Sequence, residues 1–359
     1  MERVQSRRGI QVKYREIPMV EQTQFPANLL DLDQHEFGVL AESYRRELRT
    51  HCYRMLGSIQ EADEMVQETF LRAWNRRGTY EGRSPVRAWL YKISTNLCLD
   101  SLRKRPRRSL PIAREDESTL EQPIPPSINE PIWLDPYPFD IPASEDVNPE
   151  ARYSISESIR LAFLTSLHLL PPRQRAVLIL RDVLDWKAEE VAVALDQTVP
   201  SVKSALHRAR TTLAKHHPTL HRENITASIT DEELRRQLDL YVKAWETADV
   251  DGLVALLRDD STFSMPPIPS WYCGRESIGG LVRKTIFAGQ ASGRWRLLPT
   301  RANGQPGFGL YKLNEETKGY DGYGVQVATF DGKHIADITT FRNPALMKFF
   351  DLPSTLTAS

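Results

Sequence analysis

Cysteine is scarce and badly placed for chemistry. There are three, Cys52, Cys98 and Cys273, far apart in the chain. They form no C-x-x-C pair and no Cys/His spacing of a zinc site, so neither a disulfide framework nor a metal centre is expected. An odd, sparse set fits a reducing cytoplasm, with each thiol serving as a small buried hydrophobe. Long apolar runs are missing too. Nothing approaches a membrane span, and the opening MERVQSRRGIQVKYREIPMV has no apolar core of signal-peptide length. Residues 1–30 show no clear periodicity and are expected to be a flexible extension. Net charge is also absent, 47 Lys+Arg against 47 Asp+Glu. Spread evenly, that balance would argue against a nucleic-acid partner. It is not spread evenly. SLRKRPRR (101–108) has five basic residues and no acidic one, whereas Glu115 to Glu150 holds ten Asp/Glu and no Lys/Arg. The neutral total conceals basic surfaces and an acidic connector.

What is present is helical periodicity. In WKAEEVAVALDQTVPSVKSALHRARTTL (186–213), Ala188, Val191, Ala192 and Leu195 recur at helical spacing. Thr198 can cap a second helix through its hydroxyl. Val202, Ala205, Leu206, Ala209 and Leu213 form its apolar stripe. The opposite face carries Ser201, Lys203, Ser204, His207, Arg208 and Arg210. A short helix, a turn and a helix with one basic face suit the DNA major groove. The alternative is a solvated amphipathic helix of an all-α core.

Residues 31–104 read as nearly all helix. Phe37, Leu40, Tyr44 and Leu48 begin a stripe, Gly57-Ser58 breaks it, and EADEMVQETFLRAW (61–74) is amphipathic with an acidic outer face. A polar loop (75–84) leads to SPVRAWLYKISTNLCLDSLRK (84–104), with Ser84 and Pro85 at its start.

SVKSALHRAR closely resembles the recognition helix of sigma-factor region 4, preceded by LHLLPPRQRAVLILRDVLDW (167–186), which is similar to the lead-in found there. EADEMVQETFLRAW and RAWLYKISTNLCLDSLRK resemble the clamp helix and promoter-melting helix of region 2, in the same order. The compact layout is that of the extracytoplasmic-function (ECF) group. The resemblance implies region 2 over 31–106 and region 4 over 155–217. The implied partners are core RNA polymerase, through its β′ coiled coil and β flap, and promoter DNA. No cofactor, metal or catalysis is implied.

The resemblance also supplies roles. Asp63, Glu64, Gln67 and Glu68 would face polymerase. Trp89, Tyr91, Asn96, Arg103, Lys104 and Arg105 would hold melted DNA, with the amide of Asn96 apt for a base edge. Trp89 could equally be core. Ser201, Lys203, Ser204, His207, Arg208 and Arg210 would contact the upstream (−35) element, unless Arg210 is taken by an internal ion pair.

Residues 107–154 form an acidic connector. Ten prolines lie from Pro106 to Pro149, and proline opposes regular elements. Yet IWLDPYPFDIP (132–142) is apolar for a linker. Trp133, Tyr137 and Phe139 need a surface, on this chain or on a partner. Beyond it, Thr230-x-x-Glu233 reads as a capping box. It opens a helix with Leu234, Leu238, Tyr241, Val242 and Trp245 on one face. Alternating runs follow at 261–265, 294–302, 307–313, 323–330 and 334–341, with Asp331-Gly332 as a hairpin signal. Residues 228–353 thus resemble a SnoaL-like α+β cone with a curved antiparallel sheet. The whole reads as a multidomain protein, two all-α sigma domains and a cone. Trp271, Tyr323, His334 and Asp337 are candidates to line a pocket for a small ligand or, in the alternative of a SnoaL-like enzyme or ligand sensor fused to DNA-binding domains, for a substrate; a solvent-facing role is the other reading. A regulatory protein at the cone is the other partner to expect.

Overall fold

The computed structural model describes residues 29–80, 82, 85–103, 105–130, 132–138, 160–220, 230–289 and 291–357, with side chains only to 215 in the segment ending at 220. The extension expected at the N-terminus falls almost wholly outside them, as do Ser84, Lys104, Phe139 and the connector from 140.

Four helices open the fold. They are α1 (Gln34–Ser43), α2 (Arg45–Leu56), α3 (Ile59–Asn75) and α4 (Val86–Leu102). A reciprocal capping box, Asp33 with Glu36, starts α1. α2 ends at Gly57, where φ is +72°. A Cβ there would lie 2.4 Å from Leu134 Cδ2 and 2.7 Å from His168 Cε1, so glycine is needed for both the turn and the close approach. Pro85, expected at the first turn of α4, stands one place earlier, at its N-cap.

The second unit is α5 (Leu161–Leu169), α6 (Pro172–Leu178), α7 (Ala188–Ala194) and α8 (Val199–Leu220). Val191, Val202, Ala205 and Ala209 are buried as the periodicity requires. Asp196, at φ +50°, makes the turn before α8, and Thr198 Oγ1 accepts from the Ser201 amide at 3.3 Å. The two helical units are not separate bodies, since one hydrophobic core runs through α2, α3, α4, α5, α6, α7 and α8.

The cone begins with α9 (Asp231–Thr247) and α10 (Val250–Leu256). β1 (Leu257–Ser264), β2 (Trp271–Cys273), α11 (Arg275–Leu281), β3 (Trp295–Ala302), β4 (Gln305–Leu313), β5 (Tyr320–Asp331), β6 (His334–Phe341) and the short β7 (Thr355–Leu356) follow. Thr230 Oγ1 caps α9 by accepting from the Glu233 amide, while the Glu233 carboxylate turns to Arg236 and Gln237. The sheet order is β2-β1-β6-β5-β4-β3, with β7 beside β5. Only the β1–β6 pair is parallel among the described strands. The hairpin between β5 and β6 turns on Gly332 and Lys333, one residue later than the sequence signal, with Asp331 pairing His334. One sheet face meets α9 around Trp245, Phe263, Trp295, Phe308 and Leu310. Val325, Val327, Tyr311 and Phe341 join the other core, with Leu346, Met347 and Phe350.

The connector from 105 to 138 lies along this body as a strap. Ser109 and Trp133 form a parallel bridge. Ile132, Trp133, Leu134 and Tyr137 are buried, so the apolar run docks on its own chain. Asp135 Oδ2 accepts from the Ile59 amide and caps α3 from 76 residues away. Farther along, Ser118 N–H donates to Trp271 O and Ile128 N–H to Pro267 O, tying the strap to the cone.

Candidate promoter and polymerase surfaces

The outer face of α8 is the clearest candidate surface. Ser201, Lys203, Ser204, His207, Arg208 and Arg210 are all exposed, because the buried stripe fixes the helix rotation. Four are engaged internally, Ser201 by donating to Gln197 Oε1 at 3.4 Å. Arg210 makes a bidentate pair with Asp182, at 2.9 and 2.7 Å, which raises its pKa through the hydrogen bond and the nearby charge. Arg208 donates to Ser204 Oγ at 2.7 Å.

The clamp helix departs from a uniform acidic face. Glu64 and Gln67 are exposed. Asp63 is not freely solvated, since it pairs with Arg49 at 2.6 Å; Glu68 pairs with Arg72 at 2.7 Å. Leu71, 59% exposed, continues the Glu64–Gln67 stripe one turn on. The amphipathic pattern hid it, because Leu71 reads as one more apolar position.

On α4 the melted-DNA set divides. Tyr91 is core, 1% exposed. Its ring meets His51 at 4.9 Å and Trp186 at 5.4 Å, and its hydroxyl donates to Glu47. Burial pushes that hydroxyl's pKa up, and the Glu47 carboxylate adds to the shift. Tyr91 is therefore no platform for an unstacked base in this arrangement. Trp89 is half-buried and lies against Tyr80 at 5.4 Å. Asn96 is half-buried and Arg103 exposed. Arg105, with Arg108, is drawn to Glu61, so the basic run is partly spent on α3. Lys104 lies outside the described residues. Lys92 of α4 reaches Asp196 at 2.7 Å and Val193 O at 3.2 Å. The second helical unit thus sits on the flank of α4.

Arg175 had no signal in the sequence, because arginine is rarely buried. It is 1% exposed. Its guanidinium donates to Met55 O, to His168 Nδ1 at 3.2 Å, to His168 O at 3.2 Å and to Leu170 O at 3.3 Å. His168 Nε2 in turn donates to Arg54 O at 3.2 Å. That network fixes a neutral Nε2–H imidazole. Burial, then the Arg175 charge, holds the His168 pKa well below its usual value. Together the two side chains latch α5 and α6 onto the last turn of α2.

A second junction joins cone to strap. Asn303-Gly304 closes the β3–β4 hairpin with φ +55° and +69°, the both-positive geometry of a type I′ turn. Asn303 is fully buried. Its Oδ1 accepts from Tyr137 N–H at 2.9 Å, its Nδ2 donates to Tyr53 Oη at 3.2 Å, and its own amide donates to Tyr137 O at 2.8 Å. Tyr137 stacks on Tyr53 at 4.4 Å.

Three of the four pocket candidates lie elsewhere than the cone's cavity. Trp271 donates its indole N–H to Glu115 O of the strap at 2.9 Å. His334 sits at the hairpin end. Asp337 accepts from Thr262 and Thr339, at 2.6 and 2.9 Å, on the face of β6 opposite the cavity-lining Thr340. Burial pushes its carboxyl pKa up to about 6. Tyr323 alone of the four lines the cavity.

Two fused helical units, the later one presenting a basic helix-turn-helix face, define a sigma-70-type transcription factor. The sigma-70 region 2 family model matches residues 40–108, and the sigma-70 region 4 model matches residues 160–213. The chain belongs to the ECF RNA polymerase sigma factors. It is 36% identical over 321 residues to the ECF sigma factor SigG of Mycobacterium tuberculosis, covering 89% of this chain and 85% of that protein. It is 28% identical over 189 residues to SigW of Bacillus subtilis, covering 51% of this chain and 89% of SigW. The crystal structure of the M. tuberculosis ECF sigma factor SigJ shares the fold, with a TM-score of 0.53 at 21% identity, over 88% of this chain and all of that one. Among the described residues, no helix is long and apolar enough to cross a membrane.

Proposed function

We propose that this sigma factor directs core polymerase to promoters from an opened form, and that cone and strap hold it closed. One observation carries the reading: regions 2 and 4 share a single core and are latched by Arg175. Elements at −10 and −35 lie about 25 base pairs apart, about 85 Å along B-DNA at about 3.4 Å per pair. Two domains in direct contact cannot reach both. The strap supports the same reading, because Leu134, Asp135 and Tyr137 meet region 2 while Asn303 binds Tyr137 from the cone. The protein acts in the cytoplasm by binding and not by turnover; Asp337 and His334 face away from the cavity, which supports a non-catalytic cone.

Run-off transcription with purified core polymerase tests this. Defined start sites are expected from the full chain. Asn303→Ala, or a chain ending at His217, is expected to raise output several-fold at equal protein level. Identical output from all three proteins would overturn the regulatory role.

Within region 4, Lys203 and Arg208 are assigned phosphate contacts and Arg210 a lesser one, because Asp182 already holds it. Arg208→Ala is expected to weaken binding to all promoter sequences alike and to lower the salt slope by about 1. Filter binding across a salt series checks this; an unchanged slope would remove Arg208 from the interface. On the clamp face, Glu64, Gln67 and Leu71 are the residues assigned to polymerase, with Asp63 and Glu68 as flanking, internally paired acids.

A further inference from the structure

The cone holds a cavity of about 240 Å³, and its wall has an uneven chemistry. Its floor is apolar and aromatic: Trp245, Phe263, Met265, Trp295 and Leu310, with Tyr323 at the side. Trp295 meets Trp245 and Tyr323 edge-on, at 5.9 and 5.1 Å, so the rings brace one another in a fixed frame. The remaining charged lining residues are Arg294, Lys312 and Arg342, three cations and no carboxylate.

Two polar groups there are left wanting. The Trp245 indole N–H is buried and meets no acceptor within hydrogen-bond geometry; Trp245 itself is 1% exposed. The Tyr241 hydroxyl beside it is at most a weak acceptor for that N–H and donates to Gln326 Oε1 at 2.6 Å. Arg342 Nε is likewise buried without a partner, and its guanidinium lies 5.3 Å from the centre of the Tyr323 ring. Unpaired buried donors cost free energy. Here the donors share one cavity with an excess of positive charge.

We propose that the cone binds a small apolar molecule carrying one anionic group, such as an aromatic carboxylate. The hydrocarbon part would enter among Trp245, Trp295 and Phe263. The anion would sit toward Arg342 and Lys312, where a charge-assisted hydrogen bond is strong. Neutral and cationic analogues would lack that term, and a cation would meet three like charges. Ile124 of the strap forms part of the same wall, so the ligand touches the strap directly. The binding inference does not depend on the regulatory reading above.

Isothermal titration calorimetry on the full chain tests it, with 2-naphthoate as the anionic probe and 2-naphthalenemethanol as its uncharged counterpart. Saturable one-to-one binding of naphthoate is expected, tighter than that of the alcohol. Arg342→Gln combined with Lys312→Gln should weaken naphthoate by at least about tenfold and leave the alcohol unchanged. Lys312 is exposed and Arg342 half-buried, and circular dichroism of the double variant checks its fold. Absence of saturable naphthoate binding, equal affinity for acid and alcohol, or an unaltered naphthoate affinity in the double variant would each overturn the proposal.

Discussion

Arg175→Ala is expected to destabilise the closed form by about 3 kcal/mol and to let regions 2 and 4 part. The carbonyls of Met55, His168 and Leu170 all lose their donor. A buried acceptor left dry costs about 1–3 kcal/mol. Relief from burying a guanidinium offsets part of that sum; burial already brings the Arg175 pKa down to about 9. Urea unfolding of the full chain measures the loss, and small-angle X-ray scattering reads the separation as a larger radius of gyration. Arg175→Met, which keeps most of the volume, should behave like Arg175→Ala if hydrogen bonding is what latches the domains. An unchanged unfolding midpoint in both variants would show that Arg175 is not the latch.

Acid should weaken the same fused core. His51 and His168 are fully buried and neutral. Burial, then the charges of Arg54 and Arg87, pushes the His51 pKa down to about 3. His168 is depressed in the same direction. An unfolded histidine titrates near 6.5, so below that pH the unfolded chain binds protons the folded chain refuses. Their contribution to stability is complete above about 6.5 and falls steadily as pH drops toward the folded value. At pH 5 His51 costs about 2 kcal/mol, and His168 adds a cost of the same sign. Asp337 opposes them, because its raised pKa lets the folded state gain a proton on acidification; this returns about 1 kcal/mol at pH 5. The histidines win. Unfolding free energy should therefore fall from pH 7.5 to 5, and His168→Gln with His51→Gln should flatten the slope. A slope as steep in the double variant as in the parent would assign the acid sensitivity elsewhere.

The helices were legible because each buries one stripe, and periodicity reports burial directly. That is why α3 and α8 were read nearly in full, down to the Thr198 cap. The strap was not legible. Its prolines carry no period, and what orders it is remote, such as Asp135 on the Ile59 amide or Trp133 beside Ser109. Tyr91 shows the same limit. An aromatic on a helix can serve a base or a core, and the deciding neighbour, Trp186, is 95 residues away. The Asn303-Gly304 signal was present between two alternating runs, yet its burial against Tyr53 could not be inferred locally. In the cone, strand alternation was correct, but which face of each strand meets the cavity depended on the remote packing of α9, and an irregularity between Thr329 and Phe330 shifts the pairing of the hairpin end. Asp337 and Thr340 lie on the regular side of that irregularity, three residues apart, so alternation alone turns them to opposite faces.

The last turn of α2 is completed by residues that follow it by 78 to 120 positions. Arg54 O and Met55 O receive protons from His168 and Arg175, and Gly57 O from the Asp135 amide. A helix end ordinarily finds such partners in its own next few residues. Here the C-terminal end of α2 is finished only when the domains close. Each opening hands those carbonyls to water and loosens the turn held by the 2.7 Å bond from Gly57 N to Tyr53 O. The amide protons of Met55, Leu56 and Gly57 become a clock for the closed form. Their exchange with deuterium counts openings one by one, without promoter or polymerase in the tube.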